Sequence, residues 1–360
     1  MTAADQLLNV RDYERAAEER LDPATFDYIA GGAGDEWTMR ENLAAFERFV
    51  LRPRMLVDVS EVTAATTVLG TKSALPVLVA PTAFQRIVHP DGELAMARGA
   101  AAAGAVMCLS TAATATIEEV AASAPDAARW FQLYWSRDRG VVRDIVDRAA
   151  GVGYGAIMVT VDLPELGRRE RDLRTGFEIP EDVPVPAFLA LAGSAAVTPD
   201  QLNFLVDNSL TWRDLEWLRS VTSLPLLLKG ILTTEDAALA VEAGVEGIVV
   251  SNHGGRQLDG AAATLDALPE VVEAAGDRVE VLLDSGIRRG ADVVKALALG
   301  ARAVLVGRAP LYGLAVGGAE GVERVLGLLR EETELALALC GCRSPAEVTR
   351  AHVARAGSSG

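Results

Sequence analysis

Short apolar runs that alternate with Ala-rich segments constrain the fold of this chain more than any other feature. Each run consists mainly of Val, Ile and Leu without polar alternation, which is typical of parallel strands buried on both faces. Eight such runs occur, at residues 75–80, 106–109, 130–133, 156–161, 224–228, 247–250, 279–283 and 303–306. Segments with helical character separate most of them, at residues 92–103, 116–122, 140–150, 235–243 and 290–299. Eight strand–helix alternations predict an α/β fold of the (β/α)8 TIM-barrel type.

A doubly wound parallel sheet is the alternative interpretation of the same pattern. A dinucleotide-binding sheet would require Gly-x-Gly-x-x-Gly after its first strand, and this chain has no such sequence there. The length of 360 residues does not decide the question, because barrels of this size commonly form one unit. We therefore expect a single domain over residues 1–360, with a helical extension at 1–70 and the barrel at 71–360.

The N-terminal extension is expected to contain two helices. The first is predicted at residues 12–19. The second is predicted to begin at Asp22-Pro23, because aspartate is a favoured N-cap and proline a favoured first helical residue. Its expected end is Gly31-Gly32.

A long connection follows the fourth apolar run and takes about sixty residues to reach the fifth, far more than an ordinary loop. We interpret residues 165–210, which include an apolar patch at 188–197, as a lid over the active site; a disordered insertion without function is the alternative. Four prolines interrupt the segment: Pro180, Pro184, Pro186 and Pro199. After it, Thr211 and Asp214 predict a capping box that opens the next helix. The apolar side of that helix would carry Trp212, Leu215 and Leu218.

The overall charge and the cysteine content exclude several classes of function. A formal net charge of −16 opposes binding to nucleic acid and to anionic membrane surfaces. The three cysteines, Cys108, Cys340 and Cys342, are too few and too badly spaced for a disulfide framework or a zinc site, so no metal is expected. The N-terminus lacks the features of a signal peptide, and no apolar stretch is long enough to span a bilayer. These features favour a cytoplasmic protein without membrane partners.

Polar residues end the sixth apolar run abruptly, in the segment Gly-Ile-Val-Val-Ser-Asn-His-Gly-Gly-Arg-Gln at residues 247–257. His253 and Arg256 thus leave one strand end together, at the position where α/β barrels place their chemistry. A neutral imidazole suits proton removal near pH 7 and needs a partner that fixes its tautomer. Asp162, at the end of the fourth run, can supply that partner. A structural histidine bonded within the core is the alternative.

Further cations lie at other strand ends. Lys229 ends the fifth run inside apolar sequence, where an unpaired ammonium would be costly, so an anion is expected beside it. Residues 284–288 and 307–308 follow the seventh and eighth runs, which is where barrels frequently bind a phosphate. Arg288 and Arg308 would add positive charge there.

The chain resembles the FMN-dependent α-hydroxy acid oxidase and dehydrogenase family, which includes glycolate oxidase, lactate oxidase, mandelate dehydrogenase and hydroxymandelate oxidase. The resemblance extends from the N-terminal helix to Ser344. It rests on Pro81-Thr82-Ala83, Phe131-Gln132-Leu133-Tyr134, Thr160-Val161-Asp162, Gly167-Arg168-Arg169, Leu228-Lys229-Gly230, Ser251 to Gln257 and Gly307-Arg308. It implies an FMN cofactor, a 2-hydroxy acid substrate and a homo-oligomer, by analogy a tetramer.

The resemblance also implies roles for individual residues. His253 would be the catalytic base and Asp162 its orienting carboxylate. The substrate carboxylate and hydroxyl would be held by Tyr28, Tyr134, Arg169 and Arg256, while Arg168 and Arg171 remain solvated cations. Lys229 would lie near N1 and the C2 carbonyl of the reduced flavin. Flavin contacts would come from Pro81, Thr82, Ala83, Ser110, Gln132, Thr160 and Ser251, and phosphate contacts from Asp284, Ser285, Gly286, Ile287, Arg288, Gly307 and Arg308.

Three positions depart from the pattern of glycolate oxidases and concern the substrate pocket. Ala112 replaces a tryptophan, Ile29 replaces a second tyrosine after the Tyr28 position, and Phe84 replaces a methionine. These changes predict a pocket that is wider and more apolar than glycolate requires. We expect a bulkier (S)-2-hydroxy acid, preferably aromatic as in mandelate or its ring-hydroxylated form, ahead of lactate-like or branched acids. Ser285 also replaces the glycine usual in the family.

The electron acceptor is less constrained by the sequence. Alanine at position 83, beside the flavin, is commoner in the oxidases of the resembled family, which favours O2 as acceptor with H2O2 as product. A dehydrogenase that uses a quinone or a protein acceptor, a lactate oxidase, an FMN-dependent isomerase and a non-catalytic flavin-binding protein are the alternatives. An isomerase would lack the Arg and Tyr pairing expected here.

Overall fold

Eight parallel strands close into a barrel in the computed structural model, which describes residues 7–186 and 207–357. The strands, called barrel strands 1 to 8 in chain order, are Val77–Val79, Met107–Ser110, Arg129–Leu133, Ile157–Thr160, Leu226–Ile231, Gly247–Val250, Glu280–Leu283 and Ala303–Val306. Each lies within or overlaps one of the eight apolar runs, so the predicted (β/α)8 barrel is confirmed.

The strands are apolar throughout because both of their faces are buried. In barrel strand 4, Met158 faces the barrel interior, while Ile157 and Val159 pack outward against the helices. The same alternation places at least one residue of every barrel strand in the interior. Those interior residues include Leu78, Cys108, Trp130, Met158, Leu227, Val249, Leu282 and Leu305. A filled interior leaves the open ends of the barrel as the places where a ligand can bind.

Helices cover the outside of the barrel. Those at the predicted positions are Gly92–Ala102, Ile117–Ser123, Arg139–Gly151, Thr234–Glu242 and Gly290–Ala298. Thr116 caps the second of them through a capping box with Glu119. Two helices were not predicted: Thr264–Ala275, which contains Pro269, and the segment Arg308–Cys340, which is interrupted at Gly317 and Gly318.

The N-terminal extension forms three helices, Val10–Glu18, Pro23–Ala30 and Trp37–Glu47, of which the first two were predicted. The Asp22 carboxylate accepts hydrogen bonds from two backbone amides of the second helix, at 3.1 and 3.0 Å. Two antiparallel strand pairs lie outside the barrel. They join Phe49–Leu51 to Val353–Arg355 and Thr66–Val68 to Thr71–Ser73.

The connection after barrel strand 4 is described at both of its ends. Its first part contains a short helix, Glu170–Thr175, and its last part leads into the helix Asp214–Val221. The apolar patch at 188–197 and Pro199 lie outside the described residues. The predicted capping box at Thr211 forms only in part. The Asp214 carboxylate accepts the backbone amide of Thr211 at 2.7 Å, as predicted, but the Thr211 hydroxyl donates to the same carboxylate at 2.9 Å and the Asp214 amide donates to the Thr211 carbonyl oxygen at 3.0 Å. The helix therefore begins at Asp214.

Within the described part of the chain, no helix combines the length and the apolar character needed to cross a bilayer. The same residues contain no cluster of His, Cys, Asp or Glu side chains that could hold a metal ion.

Candidate active site

A cavity of about 160 Å³ opens at the carboxyl ends of the barrel strands and is covered on one side by the N-terminal extension. Most of the residues predicted for the site line it. They are Tyr28, Pro81, Thr82, Ala83, Ser110, Ala112, Tyr134, Thr160, Arg169, Lys229, His253, Arg256, Asp284, Ser285, Gly286, Ile287, Arg288, Gly307 and Arg308. The remaining three, Gln132, Asp162 and Ser251, lie behind this wall, where they contact residues that line it.

His253 and Asp162 form the pair that the sequence predicts. The Nδ1 atom of His253 lies 2.9 Å from Oδ1 of Asp162, and both side chains are largely buried. His253 has a φ of +58°, and its backbone amide donates to the Ser251 hydroxyl at 3.1 Å. Burial lowers the pKa of His253, against the attraction of Asp162 and with the help of the Lys229 charge. The imidazole is therefore neutral near pH 7, the form that accepts a proton.

One oxygen of the Asp162 carboxylate is bonded to His253, and the other, Oδ2, is buried without a hydrogen-bond partner among the described residues. Burial alone would raise the pKa of Asp162, but the interaction with His253 and the charge of Lys229 outweigh burial and lower it. The Gln257 amide donates to the backbone oxygens of Asp162 and Glu165, at 2.9 and 2.8 Å. A Cβ at Gly230, where φ is +119°, would come within 2.6 Å of the Asp162 side chain. Glycine at this position leaves the space that Asp162 occupies.

Arg256 and Arg169 line the same cavity without a carboxylate of their own. Nη1 of Arg256 donates to the backbone oxygens of Tyr28 and Gly31, at 2.6 and 2.9 Å, and its guanidinium lies 5.0 Å from the Tyr28 ring centre. The buried Nε of Arg169 has no hydrogen-bond partner among the residues that the structure describes. In residues 7–186 and 207–357, neither guanidinium forms an ion pair. Burial and repulsion from Arg169 lower the pKa of Arg256 to about 9. Since a guanidinium stays charged in proteins, binding an anion would relieve this cost.

Two tyrosines contribute hydroxyl groups to the cavity. Tyr28 stacks on Phe177, with ring centres 4.3 Å apart and planes within 13°. Burial raises the pKa of Tyr134 to about 12, so its hydroxyl keeps its proton and can donate a hydrogen bond. The backbone amide of Tyr134 donates to Thr111 Oγ1 at 3.0 Å, which fixes the start of this loop.

Lys229 lies at the bottom of the cavity and is only 4% exposed. Its Nζ donates to the Ser251 hydroxyl at 2.9 Å and lies 3.3 Å from Oδ2 of Asp284. Burial alone would lower the pKa of Lys229, but the negative charges around it, that of Asp284 first, raise it. The expected anion beside Lys229 is thus partly supplied by Asp284, and the ammonium stays charged toward the cavity.

A hydrogen-bonded row of polar side chains lies across barrel strands 2, 3 and 4. The Ser110 hydroxyl donates to Gln132 Oε1 at 3.2 Å, and Gln132 Nε2 donates to Thr160 Oγ1 at 2.9 Å. Because neighbouring strands hold these residues in register, the row presents a fixed polar edge to a flat ligand.

The opposite end of the cavity carries Arg288 and Arg308. Ser285, in the loop after barrel strand 7, has a φ of +75°, which explains why glycine is usual there, and its hydroxyl donates to Asp284 at 2.7 Å. The guanidinium of Arg288 donates to the backbone oxygen of Ile287, at 3.0 Å. Arg308 donates to three backbone oxygens, those of Ile29, Gly31 and Gly254, and thereby also braces the N-terminal extension.

The remaining wall is apolar. Phe84, Ala112 and Val185 form a buried cluster with partly buried neighbours that include Tyr28 and Tyr134. The backbone amide of Phe84 donates to the Ala112 oxygen at 3.0 Å, and φ of Phe84 is +56°. Phe84, His253 and Ser285 are three of the six described non-glycine residues with positive φ, and all three line the cavity. Such strain is concentrated at functional sites in proteins generally.

Sequence reasoning missed four residues that support the site: Gln257, Phe177, Asp172 and Arg171. Gln257 is only the last residue of the motif Ser251 to Gln257 in the sequence, which predicts no separate role for it. Arg171, predicted as a solvated cation, instead pairs with Asp27 and Glu36. Asp172 is half-buried, and burial raises its pKa against the attraction of Arg256 and Arg169. Its position three residues after Arg169, on one face of a helix, is the signal that could have identified it.

Comparison with known proteins gives concordant matches. The family described as FMN-dependent dehydrogenase matches residues 17–355. Glycolate oxidase 3 of Arabidopsis thaliana is 49% identical over 358 residues, 97% of this chain and 96% of the relative. An L-lactate oxidase of Nostoc sp. is 51% identical over 352 residues, 95% of this chain and 96% of the relative. A crystal structure of mandelate oxidase superposes with a TM-score of 0.89 at 46% identity, covering 97% of this chain and 98% of that one.

Proposed function

We propose, from the premise that the chain belongs to the FMN-dependent dehydrogenase family, that it oxidises an (S)-2-hydroxy acid to the 2-oxo acid and passes the electrons to O2, giving H2O2. One observation carries this proposal: a neutral imidazole paired with a carboxylate faces the same cavity as two guanidinium groups that form no ion pair within residues 7–186 and 207–357. The imidazole can take a proton, and the guanidinium groups can bind a carboxylate bidentately.

The cavity suits the FMN that the family uses. A buried ammonium, a row of side-chain amide and hydroxyl groups, and two arginines at one end match a flavin ring with a terminal phosphate. Lys229, Gln132 and Thr160 would hold the ring, and the loops that carry Arg288 and Arg308 would hold the phosphate. When bound, FMN accepts the two electrons that leave the substrate.

The residues of the chain would bind the acid and remove its proton. Arg169 and Arg256 would hold the carboxylate, and the protonated Tyr134 hydroxyl would donate a hydrogen bond to it or to the substrate hydroxyl. Nδ1 of His253 is engaged by Asp162 at 2.9 Å, which leaves Nε2 free to accept a proton. The imidazolium that forms would be stabilised by the Asp162 carboxylate. Either the hydroxyl proton or the α-carbon proton can be the one taken.

The apolar wall favours a bulky side chain on the substrate. Ala112 and Phe84 both line the cavity, and they form a buried apolar cluster with Val185. Since Phe84 occupies part of the space beside Ala112, the pocket wall is apolar but not simply enlarged. We favour an aromatic acid such as mandelate, in keeping with the mandelate oxidase neighbour. Lactate is the second candidate, since a lactate oxidase is among the relatives.

The choice of O2 rests on Ala83 beside the flavin site and on the oxidase names of the relatives. A dehydrogenase that reduces a quinone or a protein is the alternative. The two would differ in the rate at which reduced flavin reacts with O2.

Anaerobic reduction of the bound flavin, followed by admission of oxygen, tests the whole proposal. The panel contains both enantiomers of mandelate, 4-hydroxymandelate and lactate, together with glycolate and 2-hydroxyoctanoate. We expect rapid bleaching by (S)-mandelate, slower bleaching by (S)-lactate and glycolate, none by the (R)-acids, and rapid return of colour with H2O2 on aeration. Faster bleaching by glycolate than by any bulky acid would overturn the substrate proposal, and reduced flavin that persists in air would favour the dehydrogenase.

A further inference from the structure

Three separate segments supply the groups proposed to bind the substrate carboxylate. Tyr28 lies on the N-terminal extension, Arg169 on the connection after barrel strand 4, and Arg256 after barrel strand 6. Arg256 is fixed to the extension by its bonds to the oxygens of Tyr28 and Gly31. Within the described part of the chain, the buried Nε of Arg169 has no such partner. The position of Arg169 must therefore be set by the segment that carries it.

Arg171, two residues after Arg169, joins that segment to the extension. Its Nη1 donates to Oδ1 of Asp27 at 3.2 Å, and its Nη2 donates to Oε2 of Glu36 at 2.6 Å. Asp27 directly precedes Tyr28 in the helix Pro23–Ala30. The other Glu36 oxygen accepts the Gly32 backbone amide at 2.9 Å, so the ion pair also fixes the turn that follows this helix.

The fit around Arg171 is close, which argues against a loosely held surface side chain. A Cβ at Gly31 would lie 3.2 Å from Cδ of Arg171 and 2.6 Å from the Asp27 oxygen. Glycine at this position lets the arginine stem pass directly over the end of the helix. Two further contacts reinforce the junction: Phe177 stacks on Tyr28, and the Gly34 amide donates to the Arg168 oxygen at 2.9 Å.

Arg174, on the same short helix, forms an ordinary surface ion pair and provides a comparison with Arg171. Its side chain is 72% exposed and pairs with Glu170, four residues earlier in the helix. Exposed pairs of this kind contribute little to stability. Arg171, with a side chain 36% exposed, instead joins carboxylates that are 144 and 135 positions away in sequence.

We infer that Arg171 is a positioning residue: through Asp27 and Glu36 it sets the spacing between Arg169 and Tyr28, and hence the affinity of the cavity for a carboxylate. This inference rests on the proposed function, in which those two residues hold the substrate carboxylate. It assigns Arg171 no contact with the substrate itself.

The test compares R171M with R174M in the full-length, FMN-loaded protein. Oxalate, a carboxylate probe without an oxidisable hydroxyl, is titrated against the flavin absorbance. We expect the Kd for oxalate to rise roughly three- to tenfold in R171M, because a partly exposed ion-pair network is lost, and to stay within twofold in R174M. In anaerobic stopped-flow experiments, the apparent Kd for (S)-mandelate should rise by the same factor, with the limiting rate of flavin reduction nearly unchanged.

A double-mutant cycle guards against a purely structural explanation. E36Q alone should raise the Kd for oxalate, and E36Q added to R171M should have less than its full effect, because the two side chains act through one contact. If R171M folds poorly, R171K replaces it in the test. Because R171K keeps the charge, its affinity for oxalate should lie between those of R171M and the wild type. Equal oxalate affinity in R171M and R174M would overturn the inference, as would strictly additive effects. If no 2-hydroxy acid reduces the wild-type flavin, the proposed function fails, while the oxalate titration still decides the role of Arg171.

Discussion

Two pairs of residues in the cavity, His253 with Asp162 and Arg169 with Arg256, differ in how far the protein itself neutralises their charges. His253 and Asp162 are complementary and are bonded to each other at 2.9 Å within the protein. Arg169 and Arg256 are like charges held close together, and burial with mutual repulsion lowers the pKa of Arg256 to about 9. The first pair is therefore organised for a proton, whereas the second is organised for an anion that must come from outside. Variants of one pair should therefore affect one of these tasks and leave the other nearly intact.

The largest effect is expected from H253A, which removes the base and leaves the arginines in place. General-base catalysis contributes typically about 10²- to 10⁴-fold, so the rate of flavin reduction by (S)-mandelate should fall by about that factor. The Kd for oxalate should change little. Rapid-mixing absorbance experiments measure both quantities in one protein. Flavin reduction at the wild-type rate in FMN-loaded H253A would remove His253 from the mechanism.

R256M is expected to behave oppositely to H253A, because it removes part of the anion site and leaves the base in place. A hydrogen bond to a charged group is worth about 1.5–3 kcal/mol, so the Kd for oxalate should rise by about 10- to 150-fold. R168M is the matched control, since Arg168 precedes Arg169 but is exposed and lies outside the cavity lining. The two variants are compared by titration of the flavin absorbance. Similar losses of affinity in both would mean that Arg256 has no specific part in binding the anion.

The pair of His253 and Asp162 was easier to predict from the sequence than the residues that support Arg169 and Arg256. His253 and Asp162 each end an apolar run, and the carboxyl ends of barrel strands converge, so their proximity follows from the strand pattern. The contacts of Arg171 and Phe177 depend instead on how the helix Glu170–Thr175 packs against the N-terminal extension, which no local pattern encodes. The helix Thr264–Ala275 was missed for a related reason. Pro269 lies inside this helix and weakens the helical pattern of the sequence, and tertiary packing overrides that local preference.

D162N tests the electrostatic part of the base pair. The Asp162 charge raises the pKa of His253, against the larger lowering by burial. Removal of that charge should lower this pKa further, so the acid limb of kcat/KM, which falls as His253 becomes protonated, should move to lower pH. The rate at the plateau should also fall, because the imidazolium that forms loses its stabilising carboxylate.

D172N is the matched variant for this experiment, because Asp172 faces the arginines rather than the imidazole. It should alter the Kd for oxalate and leave the acid limb where it is. Profiles of kcat/KM between about pH 5 and pH 9 separate the two carboxylates. An acid limb that moves to higher pH in D162N would contradict the pairing of Asp162 with His253.

A112W is expected to have the smallest effect, because it changes neither charged group and alters only the apolar wall beside them. Ala112 is 1% exposed and shares its cluster with Phe84, so an indole there must displace the Phe84 ring or enter the cavity. Differences of one methylene in an apolar pocket are worth roughly 10- to 200-fold. We therefore expect kcat/KM for (S)-mandelate to fall at least about tenfold more than kcat/KM for glycolate, while the Kd for oxalate stays within about threefold. Equal losses for the two substrates would show that the apolar wall does not select the side chain. The proposal that the charged groups act on the carboxylate and the proton while the apolar wall selects the side chain would then be wrong.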